Sequence, residues 1–195
     1  MLIVVGLGNP GEEYKNTRHN TGRIILEMLS KKFDFSDWKE DQKLKAIVSK
    51  GSIDEEKMIF VLPNNFMNNS GKSIAPLITS KKDLTKLVVV YDDMDLPIGR
   101  IKISFDRSSG GHNGLGSIIK AVKSQEFVRI RVGISPESAS GKTKKPTGEE
   151  AVLKFLLKNF KDAELAELKK ISKKISEALV CIASESKEKA MSLYN

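Results

Sequence analysis

The sequence predicts an α/β fold: one domain over residues 1–195, with a twisted, mixed and mostly parallel sheet sandwiched between helices. Two apolar runs, at 2–5 and 87–91, are short and continuous, as is typical of strands buried on both faces of a parallel sheet. Segments with apolar residues at helical spacing alternate with the strands, which favours helices on both faces. A chain of 195 residues can bury one full core, and no internal repeat divides it.

The other elements follow from apolar spacing and from turn residues. A helix is expected at 22–33, where apolar side chains recur at helical intervals and two lysines lie in the last turn. An irregular link follows at 33–41, and two strands joined by a turn-rich segment then predict a hairpin. The hairpin strands are at 44–48 and 58–62, further strands at 100–105 and 128–134, and further helices at 73–79, 115–122, 149–160 and from 162 to about 186.

The segment at 135–148 is rich in Ser, Gly, Lys and Pro. It is long for a connection within a compact domain. We therefore expect a mobile surface loop, or lid, at 135–148.

Composition indicates a cytoplasmic protein with no membrane segment. The single cysteine, Cys181, excludes a disulfide framework, and no signal peptide is recognisable. No apolar run approaches the roughly 18 residues that cross a bilayer. The net charge of +8 fits a polyanionic partner such as nucleic acid, and it fits equally well a lysine-rich surface that binds nothing.

The stretch at 6–22 follows the first strand and contains G-x-G-x-x-G, the pattern of a dinucleotide-binding turn. The pyrophosphate in such a turn needs the N-terminus of a helix that begins within the motif. Here Pro10 interrupts the motif, and the next helix begins only near Gly22. The glycines are better explained as a tight turn that presents Asn9.

His19 lies just before the predicted helix, at the carboxyl end of the first strand, where ligands bind in open α/β sheets. A neutral imidazole there can accept a proton near neutral pH, although many single histidines only cap helices or fill cores. Asp92 follows the strand at 87–91 and shares that edge if the two strands are parallel. A carboxylate bonded to an imidazole fixes its tautomer and favours its protonated form.

Two other interpretations of the aspartates remain open from the residues alone. Asp92, Asp93 and Asp95 are oxygen ligands of the kind that Mg²⁺ prefers, as in phosphoryl transfer. They also fit a simple turn before Pro97. No Walker-type lysine loop is present in the sequence, which weakens the metal interpretation.

Asn9, Asn68 and Asn113 are amides in predicted loops that can donate to a carbonyl or an oxyanion, although Asn is also common in ordinary turns. The sequence contains no Gly-x-Ser-x-Gly elbow, and Cys181 has no histidine near it in sequence. These residues therefore indicate a hydrolytic site in which water is the nucleophile and His19 is the base.

Two further groups of side chains suit a nucleic-acid ligand. Tyr14 and Phe66 are aromatic residues in polar loops that can stack on a base or line an acyl pocket, and Phe66 equally suits a hydrophobic plug. The basic residues of the predicted strands and lid suit phosphate contacts, or an ordinary solvated surface. These basic residues are Lys102, Arg107, Arg129 and Arg131, with Lys142, Lys144 and Lys145 in the lid.

Taken together, the motifs resemble those of bacterial-type peptidyl-tRNA hydrolases. The first, at 6–22, matches Gly-Leu-Gly-Asn-Pro-Gly-x-x-Tyr-x-x-Thr-Arg-His-Asn-x-Gly. FMNNSG follows at 66–71, DDMDLP at 92–97, and GGHNGL at 110–115 with RIRVGI at 129–134. The four motifs stand in the family's order and the chain length fits the whole domain, which makes the match specific, whereas any one motif alone would not.

The resemblance implies an enzyme that cleaves the ester between a peptide and the 3′-terminal ribose of tRNA, with no metal or cofactor. His19 would be the general base acting on water, and Asp92 would orient it. Asn9 would help to select N-blocked substrates. Asn68 and Asn113 would contact the substrate, with Tyr14 and Phe66 near the terminal nucleotides. The partner would be peptidyl-tRNA, bound through its acceptor stem and 3′ end by a monomer.

The sequence departs from the family pattern in three places. Ser104 stands where a second basic residue often follows Lys102, so Arg107 would have to substitute in the phosphate contacts. Asn64 and Asn65 replace hydroxyl residues, and Asp93 replaces a frequent Glu. A non-catalytic RNA-binding relative would share the basic surface, but it would have no reason to keep the base, its carboxylate partner and the three amides together.

Overall fold

The structure is a computed structural model that describes residues 1–137 and 143–195. It contains a seven-stranded sheet and helices on both faces of it. The strands are β1 (Leu2–Gly6), β2 (Lys39–Asp41), β3 (Ala46–Ile53), β4 (Glu56–Pro63), β5 (Leu87–Pro97), β6 (Ile101–Phe105) and β7 (Val128–Ser135). The helices are α1 (Thr21–Lys32), α2 (Gly71–Ile74), α3 (Lys81–Leu84), α4 (Asn113–Val122), α5 (Glu149–Leu156), α6 (Asp162–Ser184) and α7 (Lys187–Tyr194).

The sheet is mixed, with strand order β2-β3-β4-β1-β5-β7-β6. Its central strands β4, β1, β5 and β7 run parallel, while β2, β3 and β6 pair antiparallel at the edges. The pairing of β1 with β5 places Gly6 opposite Val90, so β1 ends there, whereas β5, which was expected to end at residue 91, continues to Pro97. The predicted α/β sandwich and the parallel pairing of the two apolar runs are therefore confirmed.

Both faces of the sheet are covered, because the central strands are apolar on both sides. In β1, Leu2 and Val4 face one core, to which α1, α6 and α7 contribute. Ile3 and Val5 face the other core, under α2, α3 and α4. This explains why the run at 2–5 is continuous rather than alternating.

Helix α1 begins directly against the ends of the central strands because Gly22 has no side chain. A Cβ atom at Gly22 would lie 2.2 Å from the carbonyl oxygen of Val90 and 2.4 Å from the amide nitrogen of Leu7. The backbone N–H of Leu7 donates to the same Val90 carbonyl at 3.0 Å. This close approach packs the short 3₁₀ turn Arg18–Asn20, which precedes α1, against β5 at Asp92.

Several short elements differ from the prediction. The irregular link at 33–41 ends in the edge strand β2, whose residues Lys-Glu-Asp have no apolar alternation to reveal a strand. Helix α3 has only four residues and is stabilised by a capping box between Ser80 and Asp83. The last predicted helix is two helices, because Ser186 caps a new one by accepting the N–H of Lys189 at 3.1 Å.

The predicted lid at 135–148 lies partly outside the described residues, and Lys142 is among those left out. Its described flanks form an antiparallel bridge between Glu137 and Thr143. The N–H of Lys144 also donates to the carbonyl of Pro136 at 2.9 Å. Over the described ranges, no helix has the length and apolar character that spanning a membrane requires.

Candidate active site

His19 and Asp92 contact each other at the carboxyl edge of the sheet. The Nδ1 atom of His19 lies 3.0 and 3.1 Å from the two carboxylate oxygens of Asp92. His19 lies in the turn before α1 and is 7% exposed, whereas Asp92 lies in β5 and is 4% exposed. The two parallel strands therefore bring together side chains that are far apart in sequence.

The electrostatics of this pair favour a base that is oriented by an anion. Burial alone lowers the pKa of His19, but the charge of Asp92 and the hydrogen bond to it raise that pKa above 6.5 overall. Burial raises the pKa of Asp92, yet His19 and a second imidazole hold it well below its usual range. Asp92 is therefore anionic and accepts the Nδ1–H of His19, which leaves Nε2 as the basic nitrogen.

The second imidazole belongs to His112, the residue before α4, to which sequence reasoning gave no role. Its Nε2 lies 3.1 Å from Oδ1 of Asp92, and its Nδ1 accepts the backbone N–H of Leu115 at 3.2 Å. Because the amide can only donate, Nδ1 carries no proton and Nε2–H donates to Asp92. Its ring centroid lies 5.0 Å from that of His19 and 4.9 Å from that of Tyr91.

The ligand atoms of His19, Asp92 and His112 lie within 4.8 Å of one another, which is close enough for a metal site. The tautomer of His112 opposes this use, because its only free lone pair is taken by the helix cap. The other two aspartates of the Mg²⁺ hypothesis are paired with cations. Asp93 accepts from Nε of Arg131 at 2.5 Å, and Asp95 pairs with Lys145. The described residues are therefore arranged as a hydrogen-bonded network rather than as a set of open ligands.

Asn9 is bonded through its backbone to Asn20, the residue after His19, and has one side-chain group left for a ligand. Its Oδ1 accepts the backbone N–H of Met67 at 2.8 Å. Among the described residues, nothing accepts from its Nδ2. Asn9 therefore offers a hydrogen-bond donor.

Met67 is buried and packs the three amide-bearing loops together. A Cβ atom at Gly114 would lie 2.4 Å from its sulfur, so the start of α4 rests directly on Met67. Asn68 follows Met67 and Asn113 precedes Gly114, and both side chains are exposed. The loops of Asn9, Asn68 and Asn113 thus meet around one buried side chain.

Tyr14 and Phe66 form an aromatic pair beside the amides. Their ring centroids are 6.5 Å apart, with the ring planes at 88°. Phe66 is 59% exposed, whereas its neighbour Met67 is 5% exposed. Met67 is therefore the plug under this loop, and Phe66 is free to contact a ligand.

A groove of about 1110 Å³ begins at His19 and extends toward the β6 edge of the sheet. One part of its lining is charged, with Lys102 and Arg107 beside the pairs Arg131–Asp93 and Lys145–Asp95. Another part is apolar and comes from α5, with Val152, Leu153 and Leu156. The groove thus offers both phosphate-binding and apolar contacts to a ligand that reaches the base.

Comparison with known proteins identifies the family. A sequence model described as peptidyl-tRNA hydrolase matches residues 3–195. A peptidyl-tRNA hydrolase of Fusobacterium nucleatum is 40% identical over 201 residues, which cover 100% of this chain and 96% of that protein. One of Listeria innocua is 39% identical over 196 residues, with 100% of both chains covered.

This chain belongs to the peptidyl-tRNA hydrolase family. The family that the four motifs predict is therefore confirmed. The crystal structure of peptidyl-tRNA hydrolase from Acinetobacter baumannii has the same fold, with a TM-score of 0.86 and 28% identity over 100% of this chain and 94% of that one.

Within this peptidyl-tRNA hydrolase fold, the expected phosphate contact of Arg129 is wrong. Arg129 is 0% exposed, lies over the ring of Phe127 and donates to the backbone carbonyls of Phe127 and Arg107, at 3.2 and 2.5 Å. Its guanidinium is therefore bonded to carbonyls inside the protein and does not reach a phosphate. By contrast, Lys102 and Arg107 are exposed, and Arg131 is partly exposed. Ser104 is buried, and its hydroxyl has no partner among the described residues.

Sequence reasoning also missed Arg18, which anchors the turn that carries the base. Its guanidinium lies 2.8 and 2.9 Å from the two carboxylate oxygens of Glu164. It donates to the carbonyl of Lys158 at 3.2 Å and lies over the rings of Phe155 and Phe160. The position of Arg18 in the first motif, next to His19, could have marked it as part of the site. Nothing in the sequence indicated that its partner is Glu164.

Proposed function

We propose that this chain hydrolyses the ester bond that joins a peptide, or an N-blocked amino acid, to the 3′-terminal ribose of tRNA. The reaction releases free tRNA and peptide from peptidyl-tRNA that has dropped off the ribosome or comes from stalled translation. The observation that carries the proposal is the buried His19–Asp92 pair, whose basic Nε2 faces a groove with cationic and apolar walls. Membership in the peptidyl-tRNA hydrolase family supports the same reaction.

In the proposed mechanism, Nε2 of His19 takes a proton from a water molecule, and the hydroxide attacks the ester carbonyl carbon. Asp92 stabilises the imidazolium that forms, and it keeps the proton of the neutral ring on Nδ1, where that N–H donates a hydrogen bond to the carboxylate. When the tetrahedral intermediate collapses, the bond from the carbonyl carbon to the 3′ oxygen breaks. The imidazolium returns its proton to that oxygen, and the base is restored.

The amides suit the charge that develops on the carbonyl oxygen and the polar groups of the peptide. Asn9 presents Nδ2 as a donor, and we assign to it the selection of N-blocked over free aminoacyl substrates. Asn68 and Asn113 are exposed amides on loops that pack on the same buried Met67, and we assign them to substrate contacts.

The tRNA is assigned to the aromatic and basic parts of the site. Tyr14 and Phe66 suit stacking on the terminal nucleotides. Lys102, Arg107 and Arg131 suit contacts to phosphates of the acceptor stem, and Ser104 lines the same part of the groove with its hydroxyl buried. The proposed form is a monomer that acts in the cytoplasm on peptidyl-tRNA.

The test compares N-acetyl-aminoacyl-tRNA with the unblocked aminoacyl-tRNA as substrates. We expect selective release of the blocked amino acid, and a loss of about 10²- to 10⁴-fold in His19→Ala with tRNA binding largely kept. Wild-type turnover in His19→Ala would remove His19 as the base. Tight tRNA binding without hydrolysis by the wild type would instead favour a binding protein, and activity that a strong chelator abolishes would favour the Mg²⁺ enzyme.

A further inference from the structure

Asn20, the residue after the base, binds the backbone of Asn9 with both ends of its side chain. The N–H of Asn9 donates to Oδ1 of Asn20 at 2.8 Å, and Nδ2 of Asn20 donates to the carbonyl of Asn9 at 2.9 Å. Asn20 is 2% exposed. A buried amide that satisfies both backbone groups of one residue holds that residue in a single orientation.

The orientation of both amides follows from the groups that they face. The backbone N–H groups of Asn9 and Met67 can only donate, so the Oδ1 atoms of Asn20 and Asn9 must face them. The side-chain Nδ2 of Asn9 is then the group that remains for a substrate. Without Asn20, the turn at Asn9 would keep only the contact to Met67, and Nδ2 would lose its fixed direction.

The side chain of Asn20 packs closely against the backbone at Gly8. A Cβ atom at Gly8 would lie 2.9 Å from Cγ of Asn20, so the side chain fills the room that this glycine leaves. Asn20 also ends the turn Arg18–Asn20, which carries His19. The base and the support of Asn9 therefore belong to one rigid segment.

We propose that Asn20 is a positioning residue that makes Asn9 present a hydrogen-bond donor, at a fixed distance from the base, to a carbonyl oxygen of the N-blocked substrate. The inference rests on the proposed function, because it assigns the direction of a contact in that reaction. The ligand group it names is a carbonyl oxygen that accepts a hydrogen bond from Nδ2 of Asn9 while the scissile ester lies beside Nε2 of His19.

The decisive variant is Asn20→Asp, which keeps an acceptor for the N–H of Asn9 and loses the donor to its carbonyl. A misdirected contact of this kind costs about 10- to 100-fold in catalysis. We expect kcat/KM for N-acetyl-aminoacyl-tRNA to fall by about that factor, and the preference for blocked over unblocked substrate to fall with it. Asn16→Asp is the matched control, because Asn16 is exposed in the same loop and the substitution adds the same charge.

A double-mutant cycle with Asn9→Ala separates positioning from general stability. If Asn20 acts through Asn9, Asn20→Asp changes kcat/KM by less than about twofold once Asn9 is alanine. Asn20→Ser serves in the same cycle if the Asp variant does not fold. Full additivity of the two substitutions, or a loss of activity with unchanged substrate preference, overturns the inference. Failure of the wild-type protein to hydrolyse the blocked substrate overturns the proposed function instead.

Discussion

The Nδ1 atom of His19 lies 3.0 Å from Oδ1 of Asp92, across 73 positions of sequence. The contact exists because β1 and β5 are parallel neighbours, and the chain that leaves β1 brings His19 back onto β5 at Asp92. It sets both the tautomer and the pKa of the proposed base. The pH dependence of hydrolysis is therefore a direct measure of this pair.

Asp92→Asn is expected to reduce the plateau rate by about 10³- to 10⁴-fold. An asparagine amide donates its N–H to Nδ1 of His19, so the tautomer with the proton on Nε2 predominates and only a small fraction of molecules keeps the base. The residual rate also changes its pH dependence. In the wild type the rate falls as acid protonates His19, whose pKa is raised above 6.5 mainly by the charge of Asp92. Without that charge the burial remains, the pKa of His19 falls, and the acid limb of the profile moves to lower pH.

The measurement is kcat/KM against pH for both proteins. Asp95→Asn is the matched control, because Asp95 lies on the same strand, is exposed and pairs with Lys145. It should stay within about twofold of the wild type, as expected for an exposed ion pair. An acid limb that stays in place in Asp92→Asn would contradict the assignment of the limb to His19.

His112→Asn is expected to move the acid limb in the opposite direction. Asparagine at this position can still accept the N–H of Leu115 and cap α4, but its shorter side chain no longer donates to Asp92. Asp92 then keeps more of its charge for His19, and loss of the ring reduces the burial of His19. Both changes raise the pKa of His19. As the pH is lowered, the variant should therefore begin to lose activity at a higher pH than the wild type does.

Unfolding of the His112 variants separates this electrostatic effect from the helix cap. His112→Ala loses the cap as well and should cost about 0.5–2 kcal/mol more than His112→Asn in the free energy of unfolding. Equal pH profiles for wild type and His112→Asn would mean that His112 only caps the helix.

The central pair could be predicted from sequence, because each residue follows a continuous apolar strand and parallel strands end at one edge. The face of the strand to which each side chain points could also be predicted, but not whether a given position on that face is buried or exposed. Arg129 and Arg131 point the same way from β7, yet one is covered and the other reaches the groove. Alternation gives no information on which end of a strand is covered by neighbouring loops.

The partners of His112 and Arg18, by contrast, could not be predicted from sequence. His112 lies in the motif at 110–115, but its link to Asp92 depends on where α4 begins. Arg18 was visible in the first motif, whereas its partner Glu164 comes from a different part of the fold. Such contacts depend on how helices dock, and apolar spacing does not determine docking.

Glu164→Ala tests the anchor of the turn that carries the base. Removal of one member of a buried ion pair leaves the other charge unpaired, and Arg18 is almost fully buried. We expect a loss of about 3 kcal/mol in the free energy of unfolding, measured by denaturant titration. Glu167→Ala in the same helix removes an exposed pair with Lys170 and should change stability by less than about 0.5 kcal/mol. Equal costs for the two variants would contradict a special role for the Arg18–Glu164 pair.

Gly22→Ala tests the close approach that places His19 on Asp92. The added Cβ would lie 2.2 Å from the carbonyl oxygen of Val90, a backbone atom in the centre of the sheet, so α1 has to move. We expect a loss of about 3 kcal/mol in the free energy of unfolding, together with a loss of hydrolysis because the base shifts with the helix. Gly116→Ala in α4 is the control of opposite sign. Its Cβ would meet no atom closer than 3.7 Å, and alanine in a helix is more stable than glycine by up to about 1 kcal/mol. A Gly22→Ala protein with wild-type stability and activity would show that this contact does not hold the base in position.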